Sequence, residues 1–188
     1  PAALAAEPDA LVKADEMRRG EDMHAPAVRL QHGAQEGDGG ALAVGAGDVD
    51  RRVAVLRIAH HGEHVLDALE RHPLPNDVLV VLVPRHPQRF DEVHGLLRAR
   101  GVASARRSVE VPIGPGTRVV LGDSMGEMLA YCAAADVAFV GGSLLPLGGQ
   151  NLIEAAACGC PLLMGQHTFN FEEAAQLAIE AGAAARMK

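Results

Sequence analysis

Tryptophan is absent from this chain, tyrosine occurs once, and aromatic residues make up only 3% of it. Cores of β-sandwiches lean on aromatic and β-branched side chains, so an α/β or helical interior built from Ala, Val and Leu is the expectation. Cysteine is scarce as well: Cys132, Cys158 and Cys160 form an odd set with no Cys-x-x-Cys pair. That argues against a disulfide framework or a zinc site and predicts buried thiols in a reducing compartment. No apolar run approaches the roughly 18 residues of a membrane span, and the first residues lack the basic-then-apolar order of a signal peptide. A cytoplasmic protein is therefore expected. The net charge of −7 disfavours general nucleic-acid binding, which draws on Lys and Arg to neutralise phosphates. Two familiar nucleotide loops are also missing, the Gly-x-x-x-x-Gly-Lys-Ser/Thr of ATPases and the Gly-x-Gly-x-x-Gly of dinucleotide dehydrogenases. His60 and His61 are adjacent without a third ligand at helical spacing, so no metal site is expected from them.

What is present falls into two parts. With 188 residues, 48% of them hydrophobic, the chain can build one domain of ordinary size. Residues 1–52, rich in Ala, Gly and charge, show no useful periodicity and are expected to be poorly ordered, with one helix from Asp9 to Arg19. The folded domain is expected over residues 53–188 and is regular from Leu74 onward. "VAVLRIA" predicts a buried strand and "GEHVLDALERH" a helix with Val65, Leu66 and Leu69 on one face. "DVLVVLVP" is apolar without alternation, as a strand covered on both faces must be. "RFDEVHGLLRARG" then carries Phe90, Val93, Leu96 and Leu97 on a helical stripe that Gly101 ends. Strand and helix go on alternating through "TRVVLGD", "SMGEMLAYCAAA", "DVAFVGGS", "NLIEAAACG", "CPLLMG" and "NFEEAAQLAIEAGA". The fold class read from this is α/β, a Rossmann-like doubly wound parallel sheet.

Ligands of such sheets bind outside the carboxyl ends of the strands, so the loops there carry the candidates. Arg85 lies between Pro84 and Pro87, a stiff segment suited to holding a guanidinium against a phosphate or carboxylate; His86 is beside it. In "GDSMGE", Ser124 and Glu127 have the spacing of a capping box. There the first-turn amides near Met125 and Gly126 are expected to face a phosphate, with Gly122 and Gly126 allowing close approach. In "GGSLLPLGGQN", Gly141, Gly142 and Ser143 can bring backbone and a hydroxyl to a ligand, and Gly148 and Gly149 permit the turn. Asn151 is expected to cap the next helix, with Glu154 closing a second capping box or accepting from ribose hydroxyls. His167 and Asn170 of "QHTFNFEE" can reach the same edge, with Phe169 and Phe171 packing beneath.

The ordered segments "VPRHPQRF", "LGDSMGEMLAYCAAADVAFVGGSL", "GGQNLIEAAACGCPLLMG" and "HTFNF" resemble the C-terminal half of bacterial Kdo transferases, which move 3-deoxy-D-manno-octulosonic acid (Kdo) from CMP-Kdo to lipid A precursor. The resemblance covers residues 74–188. It implies a two-domain GT-B glycosyltransferase, metal-independent and inverting, without a cofactor, acting in lipopolysaccharide synthesis at the cytoplasmic face of the inner membrane. Its partners would be the CMP-Kdo donor and a lipid A precursor held by an N-terminal domain. Arg85 and residues 122–127 would serve the donor's phosphate and sugar, with Arg85 stabilising the leaving group; Asn151 and Glu154 would hold the donor at the Gly-Gly-x-Asn-x-x-Glu motif. Many members of that family have His where Gln150 stands and Pro where Leu152 and Ala155 stand, so the match is to a variant form. The family's general base belongs to the N-terminal domain, and residues 1–52 do not resemble that domain. His60, Gly62 and Glu63 faintly match its Thr-His-Glu-Gly-Glu loop. The chain is expected to lack the fold's last strand and helices and to be inactive alone. Two alternatives stand beside this reading: a non-catalytic nucleotide-binding module or half of a split enzyme, and another GT-B enzyme that uses UDP-sugars, a transferase or an epimerase.

Overall fold

The computed structural model describes residues 52–58, 62–71, 73–109 and 113–187. The helix expected over residues 9–19, and His60 and His61, lie outside them. Among the described residues there are seven strands: β1 (Arg52–Ile58), β2 (Val78–Pro84), β3 (Ser104–Arg106), β4 (Val119–Leu121), β5 (Val137–Phe139), β6 (Leu162–Met164) and β7 (Ala184–Arg186). They make one sheet in the order β3-β4-β2-β1-β5-β6-β7, with every pairing parallel. The α-helices among the described residues are α1 (Gly62–Arg71), α2 (Phe90–Ala99), α3 (Met128–Ala134), α4 (Ile153–Ala157) and α5 (Glu172–Glu180).

Why β2 sits near the middle follows from its residues. All seven are buried, four of them are β-branched Val, and Pro84, lacking an N–H, closes the ladder. Because successive side chains point to opposite faces, the sheet has two cores. Val53, Val55, Leu79, Val81, Val83 and Val120 pack with Tyr131 and Cys132 of α3, Ala155 of α4, and Ala175 and Ala178 of α5. Ala54, Val78, Val80, Leu82, Val119 and Leu121 pack with Leu66 of α1 and with Val93 and Leu97 of α2. Each fully buried Leu or Val contributes about 2 kcal/mol, so a strand buried on both faces is held far more firmly than an edge.

The order of strands decides where a ligand can bind. From β1 the chain builds outward through β2, β4 and β3; after β4 it crosses back over β2 and β1 to begin β5. Winding reverses there, which opens a crevice at the carboxyl ends of β1 and β5. The loop after β5 forms one wall of that crevice, and the loops after β2 and β4 continue the same edge.

Two strands, β3 and β7, have no counterpart among the sequence expectations. Their sequences, Ser-Ala-Arg and Ala-Ala-Arg, are three residues long and carry no apolar run. They pair because an edge strand needs apolar contact on only part of its surface and takes its hydrogen bonds from a single neighbour.

Candidate functional site

Arg85 and His86 follow β2 and are both exposed. His86 opens a short 3-10 turn at Pro87–Arg89, its carbonyl accepting from the Arg89 N–H at 3.0 Å. Arg85 makes no hydrogen bond or ion pair with any described residue. A cation held on a proline-bounded segment and left uncommitted is suited to meet an anion.

The loop after β4 differs from its expected form. Helix α3 begins at Met128 with Glu127 at the cap position and no side-chain cap bond, so Ser124 and Glu127 are not a capping box and residues 124–127 precede the helix. The Ser124 hydroxyl instead donates to the Glu127 carboxylate. Tyr131 OH donates to the same oxygen at 2.9 Å and lies 3.0 Å from Ser124 Oγ, while Arg107 donates to the other oxygen at 2.8 Å. Four groups of complementary polarity claim one another, and the carboxylate is no longer available to reach back to the Ser124 amide. Burial by itself would raise the Glu127 pKa, but bonds from Ser124, Tyr131 and Arg107 outweigh it and hold the carboxyl below its ordinary value. Burial, helped by the Glu127 charge, pushes the Tyr131 phenol up to about 12.

At the loop's other end Asp123 is enclosed, its side chain 0% exposed. It accepts from Arg106 Nε, from the Ser108 N–H at 2.8 Å and from the Ser108 hydroxyl at 2.6 Å. Arg106 also reaches Asp91 at 2.7 Å. Burial would raise Asp123, yet the Ser108 and Arg106 bonds win and its pKa is lowered. Between these two anchors the tip is open: Met125 is 69% exposed and Gly126 sits at φ +82. The N–H groups of Ser124, Met125, Gly126 and Glu127 have no acceptor among the described residues. Successive free amides around a positive-φ residue form an anion-binding concavity. Gly122 is buried below; a Cβ there would come within 3.0 Å of the Tyr131 ring.

The loop after β5 is closed by its own backbone. Gly149 N–H donates to Gly142 O at 3.1 Å and Gln150 N–H to Gly141 O at 3.0 Å. Helix α4 begins at Ile153, one residue later than a cap at Asn151 would give. Leu152 takes the cap position, yet the Asn151 Oδ1 accepts from the Ile153 N–H at 3.0 Å and so satisfies the first amide of the helix, as expected of a capping side chain. Glu154 falls in the first turn of α4, half-buried. Ser143 departs from expectation too. It is 0% exposed, and its hydroxyl donates to Val140 O and accepts from the Gly165 N–H at 2.8 Å, so it ties this loop to the next instead of facing the edge. Asn170 acts similarly, its side-chain amide reaching Leu147 O at 3.3 Å and Gly149 O at 3.4 Å. Arg186 of β7 braces the loop of residues 165–171 through Gly165 O, Thr168 and Glu172.

The structure thus brings Arg85, His86 and residues 122–127 onto adjacent strand ends, with Gly142, Gly149, Asn151 and Glu154 across the crevice. Arg106, Arg107, Ser108 and Tyr131 were missed by sequence reasoning. Tyr131 lies one helical turn beyond Glu127, whereas Asp123 and Glu127 lie 15–20 residues from Arg106, Arg107 and Ser108 and meet them because β3 pairs with β4. The chain's Asp-x-Asp triplet, Asp48-Val49-Asp50, lies outside the described residues, so metal-independence rests on resemblance alone.

No family model matches the chain. A 3-deoxy-D-manno-octulosonic acid transferase of Bordetella pertussis is 52% identical over 151 residues, which is 75% of this chain and 35% of that protein. A protein of the same name from Haemophilus influenzae is 40% identical over 135 residues, 70% of this chain and 31% of that one. The crystal structure of the C-terminal CMP-Kdo binding domain of WaaA from Acinetobacter baumannii matches with a TM-score of 0.64 and 32% identity, covering 74% of this chain and 75% of that one. The chain spans about a third of the length of the curated relatives it matches.

Proposed function

The chain belongs to the 3-deoxy-D-manno-octulosonic acid transferase family, and we propose that it is the part that binds the CMP-Kdo donor for transfer of Kdo to a lipid A precursor. The observation that carries this reading is the convergence, on one sheet edge, of uncommitted Arg85 with the open amides of residues 124–127. Transfer breaks the bond between the anomeric carbon of Kdo and a phosphate oxygen, and negative charge grows on the departing CMP. In this reading Arg85 and the loop amides take up that charge, already oriented before the bond breaks. Asn151 and Glu154 across the crevice hold the nucleoside, Glu154 by accepting from ribose hydroxyls. The reaction is inverting and metal-independent in this reading. The base that deprotonates the acceptor hydroxyl comes from a domain outside this chain, as does the acceptor's seat at the inner membrane. Among the described residues, no helix is long and apolar enough to cross a membrane.

Calorimetric titration of the chain with CMP, and with UMP as control, tests the reading. CMP is expected to bind more than tenfold tighter than UMP, and Arg85→Ala to weaken CMP about tenfold, or ~1.4 kcal/mol, with no change in melting temperature. Equal binding of the two nucleotides, or a preference for UMP, would move the chain to a different donor class.

A further inference from the structure

The loop after β4 offers its amides only if its two ends are fixed, and both ends are fixed by neighbouring residues of one short segment. Arg106 and Ser108 hold Asp123; Arg107 holds Glu127. Neither arginine is free to act as a ligand itself, since Arg106 is shared with Asp91 and Arg107 is committed to the carboxylate. Yet the arrangement has an electrostatic side as well. Asp123 and Glu127 place two carboxylates at the base of a loop whose tip is built for an anion, and both are kept ionised by their partners. Left uncompensated, Glu127 would repel a phosphate a few residues away; paired with Arg107, its charge is cancelled while its oxygens still hold Ser124 and Tyr131 in place.

We infer that Arg107, seconded by Arg106, is a positioning residue for the donor's phosphate: it orders residues 124–127 through Glu127 and cancels that carboxylate's charge, without touching the donor. This rests on the CMP-Kdo reading above. It has a signature that a merely structural role lacks. Loss of Arg107 should be felt by a ligand that carries a phosphate and not by the same nucleoside without one.

The experiment measures CMP and cytidine affinities, with melting temperature alongside, for the wild-type chain and for Arg107→Met, Arg107→Lys and Arg107→Met/Glu127→Gln. Arg107→Met is expected to weaken CMP about tenfold and cytidine less than threefold. Lysine keeps the charge but loses the planar fork, and should fall between Met and wild type. Removing the stranded carboxylate in the double variant should bring CMP affinity back to within about threefold of wild type. Arg107→Met binding CMP as wild type does, or CMP and cytidine weakening together, would overturn the inference. Should Met at position 107 prevent folding, Arg107→Lys decides alone, since an unchanged CMP affinity there is equally fatal. Failure of the wild-type chain to bind CMP would instead strike the functional reading itself, so the two failures are distinguishable.

Discussion

The two principal loops of the ligand edge are held by opposite means. Residues 122–127 are anchored by charged side chains, Arg106 on Asp123 and Arg107 on Glu127, and leave their backbone open at the tip. Residues 141–151 are anchored by backbone and by a buried hydroxyl, Gly149 to Gly142, Gln150 to Gly141, and Ser143 to Val140 and Gly165. The first scheme fixes the ends and spares the amides; the second spends amides on closure. A charge-anchored loop can be loosened by pH. A backbone-anchored one can be broken only by shape.

Shape is the place to strike hardest. An ideal Cβ at Gly165 would lie 2.4 Å from Ser143 O and 2.7 Å from Leu144 Cα, both backbone atoms, so no rotamer change relieves the clash. Gly165→Ala should therefore cost about 3 kcal/mol, read from the denaturant midpoint. A loss under about 1 kcal/mol would show that the loop after β5 yields easily, and the contrast between the two loops would collapse.

That contrast also marks what was legible in the residues. β2 declared itself because seven apolar residues in a row have no other use than a strand covered on both faces. Gly148 and Gly149 announced a turn, and the structure holds both at positive φ. The first capping box misled because spacing alone cannot tell whether Ser124 and Glu127 face a helix end or each other; Tyr131, one helical turn beyond Glu127, and Arg107, 20 residues from it, decide that. Likewise Arg106-Arg107-Ser108 carries no local signal that singles it out. Its function appears only once β3 pairs with β4 and Arg106 comes opposite Leu121, two residues before Asp123. Local propensity carries information about elements, while an ion pair across strands depends on topology that no short stretch encodes.

Charge is the lever on the other loop. Asp123 is fully enclosed but Arg106 is 24% exposed, so the pair is worth less than a wholly buried one, and Asp123→Asn should cost about 2 kcal/mol at neutral pH. The sign of the pH dependence follows from the lowered pKa values of Asp123 and Glu127. A carboxyl whose folded pKa is depressed gives stability that is complete above its unfolded value, roughly pH 4, and that drains away as pH falls through the lower folded value. Thermal melts of the wild-type chain should hold steady from pH 7 to about 5 and decline below about 4. In Asp123→Asn the decline should be shallower, with one fewer depressed group to protonate. Parallel acid branches would mean that Asp123 adds nothing to the anchoring.

The smallest expected change separates tip from anchors. Gly126 sits at φ +82, but nothing lies within 4 Å of where its Cβ would be, so an alanine there meets strain in the backbone and no clash. The cost to stability is about 1 kcal/mol, because an L-residue in the left-handed region is disfavoured by roughly that amount. An alanine that instead drags the tip toward a right-handed conformation turns the amides of Met125 and Gly126 away from one another while leaving Asp123 and Glu127 held. CMP affinity should then fall about fivefold, with the melting temperature lowered by only a few degrees. If affinity were untouched, the phosphate would not meet the tip amides, and the paired arginines beneath would serve the fold alone.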